Sequence, residues 1–371
     1  MEHKYKRKTK QKTSPLQSKN TTNNESSSLE LEPNTAPRNK EANHITEETN
    51  SNKSTSVNHN KLPADTQLYQ IAMLGSHDAG TYAYSREING TASSLGAVFP
   101  FAFKTQNKNL KKQAEAGARY FDIRVARNKN KPDSFSFFHG PSIAAGNAED
   151  DVKELLNHAA KDTNNFYLIK FVFKGEKKEN NTTSGKPDSD IFLEKILNGH
   201  HANIIKKGDI SSDKNLLGKA TVDLLSKGKN IGIMVHGYSR TESELYWVYN
   251  DQVKPGGWAN QANARATTNF LLNRDKELEP QHENKLNVIQ TNMPVASIGR
   301  GQLTLGVKSY LFRNTTVLAE AVKELRHAGI ISADYIGDTR SATSKFLETI
   351  EENNRRLIKP GQDHEHLLTT K

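Results

Sequence analysis

The sequence predicts an α/β fold with one large domain. A (β/α) barrel is the architecture that matches the length of this domain. Apolar runs of strand length recur from residue 68 onward, and segments with the apolar spacing of amphipathic helices lie between several of them. The alternation extends over roughly 285 residues, close to the ~250 residues typical of such barrels.

Seven apolar runs predict the strands: 68–74, 120–125, 135–138, 166–173, 231–235, 288–289 and 330–336. Helices are predicted over 148–161, 316–328 and 341–353, where apolar residues recur every three to four positions. Gly329 follows the second of these helices as an expected C-terminal cap. The polar stretch 174–190 predicts a surface loop.

The apolar content defines the boundaries of the domain. It is 34% for the whole chain, below the ~45–50% of ordinary globular proteins. Only nine of the first 60 residues are apolar, too few to offset the entropy lost on ordering. We therefore expect a disordered tail over 1–62, a barrel domain over 63–355 and a flexible C-terminal tail over 356–371.

Composition also excludes several classes of protein. The absence of cysteine excludes disulfides, cysteine-ligated zinc, iron–sulfur clusters and thiol catalysis. No apolar stretch approaches the ~18 residues of a membrane-spanning helix, and the basic N-terminus leads into no apolar segment, so no cleavable secretory signal is expected. The basic run within 4–12 is either a solvated cluster or a contact for an anionic surface. No nucleic-acid-binding motif occurs, so no nucleic-acid partner is expected.

Titratable residues mark the ends of the first three predicted strands. His77 and Asp78 follow the first run in a glycine-containing turn, and His139 precedes a Gly-Pro turn after the third. Asp122 and Arg124 lie two residues apart in the second run and so share one face. Two histidines and an arginine suit general acid–base catalysis on a phosphodiester. Alternatively, single histidines are often structural, and Asp122–Arg124 could be a structural ion pair.

Four sequence blocks resemble a known family. GSHDAGTY at 75–82, GARYFDIR at 117–124, FHGP at 138–141 and GIISADYIGD at 329–338 are similar, in this order, to the X domain of bacterial phosphatidylinositol-specific phospholipase C. The resemblance implies a distorted TIM barrel that cleaves phosphatidylinositol, or a glycosylphosphatidylinositol (GPI) lipid, to diacylglycerol and inositol 1,2-cyclic phosphate.

The resemblance also implies roles for five catalytic residues. His77 would be the general base for the inositol 2-hydroxyl, and Asp334 would orient it. His139 would be the general acid for the diacylglycerol oxygen. Arg124, with Asp78 beside it, would bind the phosphate.

Arg124 bears on the cofactor. In calcium-dependent relatives of the family a carboxylate stands at this place, whereas a guanidinium would repel a divalent cation. We therefore expect a metal-independent enzyme with no cofactor. Calcium bound by Asp78 and Asp122 is the alternative, because carboxylates favour this ion.

The head-group pocket matches the family less closely. By resemblance, the substrate-binding candidates are Lys170, His236, Arg240, Tyr249 and Asp251, and a structural role is equally open for each. Gly237 stands where the family carries an inositol-binding arginine.

An apolar segment over 94–103 follows the first turn. By resemblance, Val98, Phe99 and Phe101 would touch a membrane surface, to which a net charge of +10 adds attraction. Alternatively, these side chains pack on the barrel. The expected partners are thus a phosphoinositide or GPI lipid and a membrane surface bound peripherally, and we expect a monomer.

Other functions remain open at this point. A non-catalytic module that binds inositol lipids on the same barrel is the main alternative, and a metal-dependent phosphodiesterase of another barrel family is a third. Localisation is also open: export without a cleavable signal peptide is favoured by analogy with injected effectors, and a cytoplasmic location is the alternative.

Overall fold

The computed structural model of the chain describes most of the region from residue 58 to residue 358. The described residues are 58–84, 87–88, 91–92, 103–128, 131–174, 187–210, 215–236, 243–261, 263–277, 283–292, 317–325, 329–339 and 341–358.

Nine of the described strands form one curled, mainly parallel sheet. Seven parallel strands lie in the order β10-β11-β1-β4-β7-β8-β9, and β5 and β6 extend the sheet antiparallel from β4. The strands of this sheet are β1 (Met73–Ser76), β4 (Ala118–Asn128), β5 (Lys131–His139), β6 (Ser142–Ile143), β7 (Tyr167–Phe173), β8 (Ile231–His236), β9 (Trp247–Val248), β10 (Val288–Gln290) and β11 (Ile330–Ala333). A separate hairpin joins β2 (Glu87–Ile88) and β3 (Thr91–Ala92).

Helices follow several of the strands, as the alternation predicts. They are α1 (Leu110–Glu115), α2 (Ala148–Lys161), α3 (Asp188–Leu197), α4 (Tyr249–Gln252), α5 (Ala264–Glu277) and α6 (Thr343–Ile358), and residues 317–323 are also helical. Short 3₁₀ helices lie at His59–Lys61, Leu68–Gln70, Lys207–Asp209, Leu217–Lys219 and Val222–Lys227.

Successive strand residues point to opposite faces of the sheet, and the two faces bury different sets of side chains. In β4, Phe121 and Ile123 join a large apolar cluster that also contains the inner faces of α2 and α6. Tyr120 belongs instead to a second cluster, which contains Leu168, Met234 and other residues of neighbouring strands. This second cluster contains at least one residue from each of the seven parallel strands.

Strands β9 and β10 are the two ends of the strand order in the described chain. The segment after α4 runs between them. Val253 forms a parallel bridge to Leu286, and Trp258 forms one to Gln290 at the end of β10. The barrel is therefore nearly closed, and the seam between β9 and β10 is filled by irregular backbone.

The third predicted strand is present, but it does not run parallel to the others. β5 turns back on β4 as an antiparallel partner, with Val125 opposite Phe137. His139 consequently reaches the same end of the barrel by a returning hairpin and not at the carboxyl end of a parallel strand.

Residues 58–62, which the sequence analysis assigns to the tail, make contacts with residues 165 and 166 of the domain. Residues 58–62 are ordered against the barrel: the backbone N–H of His59 donates to Asn165 Oδ1 at 3.2 Å, and the N–H of Phe166 donates to His59 Nδ1 at 3.1 Å. Leu62 is also buried in the core. Local composition could not reveal these partners, which lie about a hundred residues away along the chain. The remainder of the predicted tail lies outside the described residues.

Three other limits also differ from the predictions. The first run is divided into a 3₁₀ turn and β1, and β11 ends at Ala333, so Asp334 lies just beyond the strand. α3 begins inside the predicted loop 174–190. The last helix continues to Ile358, beyond the boundary at 355, because Leu357 packs against the core. Among the described helices, none has the length and apolarity needed to cross a membrane.

Helix α6 is fastened to β1 by one buried side chain. Asn354 is fully buried; its Oδ1 accepts from the N–H of Ala72 at 2.9 Å, and its Nδ2 donates to the carbonyl of Ala72 at 3.0 Å. The side-chain amide of Asn354 thus satisfies both backbone polar groups of Ala72, the residue just before β1.

We predict that Asn354→Leu lowers the free energy of unfolding by about 2–6 kcal/mol, because two buried backbone groups lose their partners at about 1–3 kcal/mol each. Urea unfolding followed by circular dichroism measures the change. Asn353→Leu is the matched control and should change stability by less than about 1 kcal/mol, since Asn353 bonds only within its own helix. Equal losses in both variants would contradict a specific role for Asn354.

Candidate active site

The predicted catalytic residues converge at the carboxyl end of the barrel strands. His77 and Asp78 follow β1, Arg124 lies in β4, and Asp334 follows β11, the strand that pairs with β1. Strand pairing continues for one residue beyond β1, since the N–H of His77 donates to the carbonyl of Ala333 at 3.1 Å. This register places His77 beside Asp334, although 257 positions separate them in the chain.

The turn after His77 depends on the backbone conformation of Asp78 and on the missing side chain of Gly80. Asp78 adopts a left-handed φ of 42°, and its carbonyl accepts hydrogen bonds from the hydroxyls of Thr81 and Thr105 at 2.8 and 2.9 Å. A Cβ at Gly80 would lie 2.2 Å from Phe137 Cγ, so only glycine allows the turn to pack on β5. The turn is thereby held against both the barrel and the returning hairpin.

His77 is fixed at both ring nitrogens by groups that determine its tautomer. Its Nδ1 lies 2.8 Å from Asp334 Oδ1, and its Nε2 lies 3.3 Å from Arg124 Nη2. A carboxylate can only accept and a guanidinium can only donate, so the neutral ring carries its proton on Nδ1. The lone pair of Nε2 is then directed into the site, where it can accept a proton.

His139 contacts a backbone carbonyl at one ring nitrogen and a carboxylate at the other. Its Nδ1 lies 2.9 Å from the backbone carbonyl of Phe103, which can only accept, so this nitrogen carries a proton. Its Nε2 lies 3.4 Å from Asp78 Oδ2, the same oxygen that lies 3.8 Å from His77 Nε2. The two imidazole rings are nearly perpendicular with their centroids 6.4 Å apart. The Nε2 atoms of both rings thus border the space beside Asp78.

Arg124 joins the two carboxylates of the site. Its Nε contacts Asp78 Oδ1, and its Nη2 lies 3.2 Å from Asp122 Oδ2. Lys170 Nζ approaches the other oxygen of Asp122 at 3.0 Å. Asp122 and Arg124 lie on one face of β4, as the spacing predicts, and they form the ion pair that was the structural alternative. The pair also lies within the site, so the geometry is compatible with both roles.

Burial and neighbouring charge act in opposite directions on the pKa values of these groups. Burial alone would lower the pKa of His77, but Asp78 and Asp334 outweigh it and raise the pKa above 6.5. Burial raises the pKa of Asp78, an effect that His77 and Arg124 offset only in part. Asp122 is likewise buried, yet Lys170 and Arg124 hold its pKa well below the usual range. These two cations therefore favour the ionised form of Asp122.

Only some of the residues predicted to bind the head group lie near the catalytic residues. Lys170 lies 4.6 Å from the centre of the Tyr249 ring, and the ring of His236 lies 5.3 Å from that of Tyr249. Burial and Lys170 lower the pKa of His236. These three residues adjoin the catalytic group through Asp122. Asp251 is exposed on α4 and is not brought into this group, and Arg240 lies outside the described residues, as does Gly237.

Gln106 is a residue that sequence reasoning missed. It is fully buried, its Nε2 donates to the carbonyls of His77 and Ala333 at 2.9 and 3.1 Å, and its Oε1 accepts from the N–H of Ile336 at 2.9 Å. One amide therefore holds the backbone on both sides of the His77–Asp334 contact. An isolated glutamine next to an apolar segment carries no motif, so only the structure reveals it.

Comparison with known proteins identifies the architecture. A variant of phosphatidylinositol-specific phospholipase C from Staphylococcus aureus matches with a TM-score of 0.55 and 18% identity, over 80% of this chain and 98% of that one. The corresponding protein from Listeria monocytogenes matches with a TM-score of 0.50 and 15% identity, over 81% of this chain and 98% of that one. The chain has the fold of the bacterial phosphatidylinositol-specific phospholipases C. The resemblance and the distorted TIM barrel predicted from the sequence are thus confirmed.

Comparison by sequence matches a smaller part of the chain than comparison by structure. No family model matches the chain. A PI-PLC X-box domain-containing protein of Dictyostelium discoideum is 25% identical over 159 residues, 42% of this chain. The matched region spans 21% of that relative, so most of the relative has no counterpart in the match.

Among the described residues, one group of side chains could offer ligand atoms to a metal ion. His77, Asp78 and Asp122 each offer an atom within 4.8 Å of the others. Arg124 contacts both carboxylates, however, and Lys170 occupies the second oxygen of Asp122. Two cationic side chains thus already lie against these carboxylates.

The contact between Asp334 and His77 leads to a titration test. We predict that Asp334→Asn lowers the pKa of His77, because the variant removes a negative charge that favours the imidazolium and leaves burial unopposed at that side. NMR titration of labelled histidine measures it. Asp338→Asn removes the same charge four residues further along, and His77 should titrate there as in the native chain. A His77 pKa that is unchanged or higher in Asp334→Asn would contradict the assigned contact.

Proposed function

We propose that this chain is a metal-independent phosphodiesterase that cleaves phosphatidylinositol, or a GPI-type lipid, to diacylglycerol and inositol 1,2-cyclic phosphate. The observation that carries the proposal is a pair of histidines whose Nε2 atoms border one space: His77 Nε2 lies 3.3 Å from Arg124 Nη2 and 3.8 Å from Asp78 Oδ2, and His139 Nε2 lies 3.4 Å from the same Asp78 oxygen. A base and an acid are thereby arranged across one space, as in-line transfer between two oxygens requires.

The proposed step conserves atoms and charge. His77 Nε2 takes the proton of the inositol 2-hydroxyl while that oxygen attacks the phosphorus. The bond from phosphorus to the diacylglycerol oxygen breaks, and His139 Nε2 donates its proton to the leaving oxygen. The products are the cyclic phosphodiester and the alcohol, with His77 protonated and His139 neutral. A proton returns to His139 and leaves His77 before the next turnover.

Arg124 and Asp334 support this step electrostatically. Arg124 is held between Asp78 and Asp122 with a pKa raised above its ordinary value, so it remains a cation whose charge is available to the phosphoryl oxygens. Asp334 holds the His77 ring by its Nδ1–H and stabilises the imidazolium that forms when the base takes a proton. Asp78 does the same for protonated His139 and also positions Arg124.

The same contacts support a mechanism without a metal. Arg124 already lies among the three groups that could bind a cation, and a divalent ion there would face its guanidinium in a buried space of low dielectric. The charge that calcium would supply to the phosphate can come from Arg124 instead. The proposal therefore excludes calcium from the catalytic step.

We also assign the head group to the space above Lys170 and Tyr249. The ammonium of Lys170 can donate to ring hydroxyls, and the aromatic face of Tyr249 can pack against the apolar face of the inositol. His236 borders this space at the end of β8. Asp251 and Arg240 stay predictions that no contact among the described residues supports.

Substitution of the two histidines tests the enzyme and its roles. On phosphatidylinositol–detergent micelles with excess EDTA, phosphorus NMR should show the cyclic phosphodiester for the native chain. His77→Ala and His139→Ala should each lower kcat by about 10²–10⁴-fold, the usual contribution of one acid or base. His201→Ala is the matched control, since His201 is exposed and outside the site, and it should retain full activity.

Different failures of this experiment have different meanings. Turnover that requires added calcium would overturn the metal-independent step. Retention of activity in either active-site variant would overturn that histidine's role. If no condition gives turnover but the native chain binds inositol-lipid vesicles, the non-catalytic lipid-binding module would replace the enzyme.

We propose, in addition, that the segment 94–103 contacts the lipid surface through Val98, Phe99 and Phe101. These three residues lie outside the described residues, but the segment ends at Phe103, whose ring lies 5.9 Å from that of His139. One of the structures of the S. aureus enzyme comes from work on modulating its membrane binding. A lipid contact beside the general acid would present the diacylglycerol oxygen to His139.

Vesicle binding tests this contact. We predict that Phe99→Ser weakens partitioning onto phosphatidylinositol-containing vesicles roughly ten- to hundredfold, because burial of an aromatic side chain contributes roughly 1.5–3 kcal/mol. Sedimentation of the vesicles with bound protein measures it. Turnover of a water-soluble substrate should be unaffected. Equal partitioning of variant and native chain would favour packing of the segment on the barrel.

A further inference from the structure

The backbone carbonyl of Phe103 accepts two hydrogen bonds from side chains. His139 Nδ1 lies 2.9 Å from this oxygen, and the hydroxyl of Tyr84 donates to it at 3.3 Å. A carbonyl oxygen has two lone pairs, so it can hold both donors at once. Tyr84, which the mechanism above does not use, therefore shares its acceptor with the proposed general acid.

The ring of Phe103 lies between the same two side chains. Its centroid is 5.9 Å from that of His139, with the planes at 83°, and 6.5 Å from that of Tyr84, with the planes at 59°. Tilted and edge-on pairs at such distances are favourable arrangements of aromatic rings. Tyr84 thus holds Phe103 at its ring and at its carbonyl, and a shift of this residue would displace the acceptor of His139 Nδ1.

The backbone beside Tyr84 is fastened to the hairpin that carries His139. The carbonyl of Ala83 accepts from the N–H of Ala145 at 2.9 Å. Ala145 follows strand β6, in which Ser142 pairs with His139 at the end of β5. Tyr84 and His139 are therefore fixed relative to each other by backbone as well as by their common acceptor.

The Tyr84 hydroxyl keeps its proton at neutral pH. Burial and the charge of Asp78 both raise the pKa of Tyr84 above its ordinary value. The Phe103 carbonyl can only accept, so the phenol is the donor in their hydrogen bond. The side chain thus contributes a neutral donor next to the charged groups of the site and adds no charge of its own.

We propose that Tyr84 is a positioning residue for the general acid, acting on His139 through the Phe103 carbonyl. The inference rests on the proposed function. The carbonyl orients the ring with Nε2 towards the space beside Asp78, and Tyr84 fixes the carbonyl. When the Nε2–H bond breaks and the leaving diacylglycerol oxygen takes the proton, the Nδ1–H bond stays intact, and the neutral ring that forms is held by the same acceptor.

Dependence on the leaving group tests this role. Tyr84→Phe keeps the ring and removes only the hydroxyl. On phosphatidylinositol, kcat should fall roughly two- to tenfold, the contribution of one neutral hydrogen bond. KM should stay near the native value, because the hydroxyl is bonded to the Phe103 carbonyl. A p-nitrophenyl ester of inositol phosphate releases a stable anion that needs no proton, so its kcat should be unchanged. An equal loss on both substrates would contradict action through the acid.

Tyr82→Phe is the matched control. It removes the same hydroxyl two positions earlier in the same segment, where Tyr82 donates to Asp151 on helix α2 and not to Phe103. This variant loses a hydrogen bond but should retain the native kcat on both substrates. A fall in kcat on phosphatidylinositol as large as that of Tyr84→Phe would show a general effect of loosening this segment and would overturn the proposal.

NMR of ¹⁵N-labelled histidine separates failure of this proposal from failure of the proposed function, because it needs no turnover. At about pH 9, above the ordinary titration range of histidine, Asp78 favours the proton of neutral His139 at Nε2 and the Phe103 carbonyl favours it at Nδ1. Tyr84→Phe should therefore raise the share of the Nε2–H form, and Tyr82→Phe should match the native chain.

An unchanged ratio of the two forms in Tyr84→Phe would overturn the proposal, whether or not the lipid is cleaved. If the native chain cleaves neither substrate, the proposed function fails. The ratio then still decides whether Tyr84 positions His139.

Discussion

Neutralisation of buried charge is the constraint on which the rest of this site depends. Asp78 and Asp122 are almost completely buried at the end of the barrel, where an unpaired carboxylate would be strongly destabilising. Arg124 lies between them, and Lys170 balances the second. With these groups paired, the Nε2 atoms of His77 and His139 face the space between Arg124 and Asp78.

The scaffold around the site keeps these pairs in register by means of hydrogen bonds from neutral side chains. Gln106 holds the backbone at His77, Ala333 and Ile336, and Asn354 holds Ala72 at the other end of β1. Both side chains are buried and fully bonded, which is the condition under which buried polar groups give rigidity without a net cost. The position of His77 is therefore determined from both ends of a four-residue strand.

The nearly closed barrel accounts for a cavity at the seam between β9 and β10. A fully paired sheet would fill the space between β9 and β10 with strand backbone, whereas here residues 253–258 cross it as an irregular segment with only isolated bridges. Such a seam leaves room beside the catalytic layer. Lys254 of that segment and Lys285, which precedes β10, line this space.

The alternation of strands and helices, the order of the four motif blocks and the catalytic candidates can be read from the sequence without a structure. These features depend on local periodicity and on residue types at strand ends, which a linear reading can detect. Only tertiary structure decided which candidates meet: the contact between His77 and Asp334 depends on strand register across the whole domain, and the return of β5 depends on a hairpin. For the same reason the packing of residues 58–62, the role of Gln106 and the exclusion of Asp251 from the group around Lys170 and Tyr249 could not be predicted, because their partners are distant in the chain and carry no local signal.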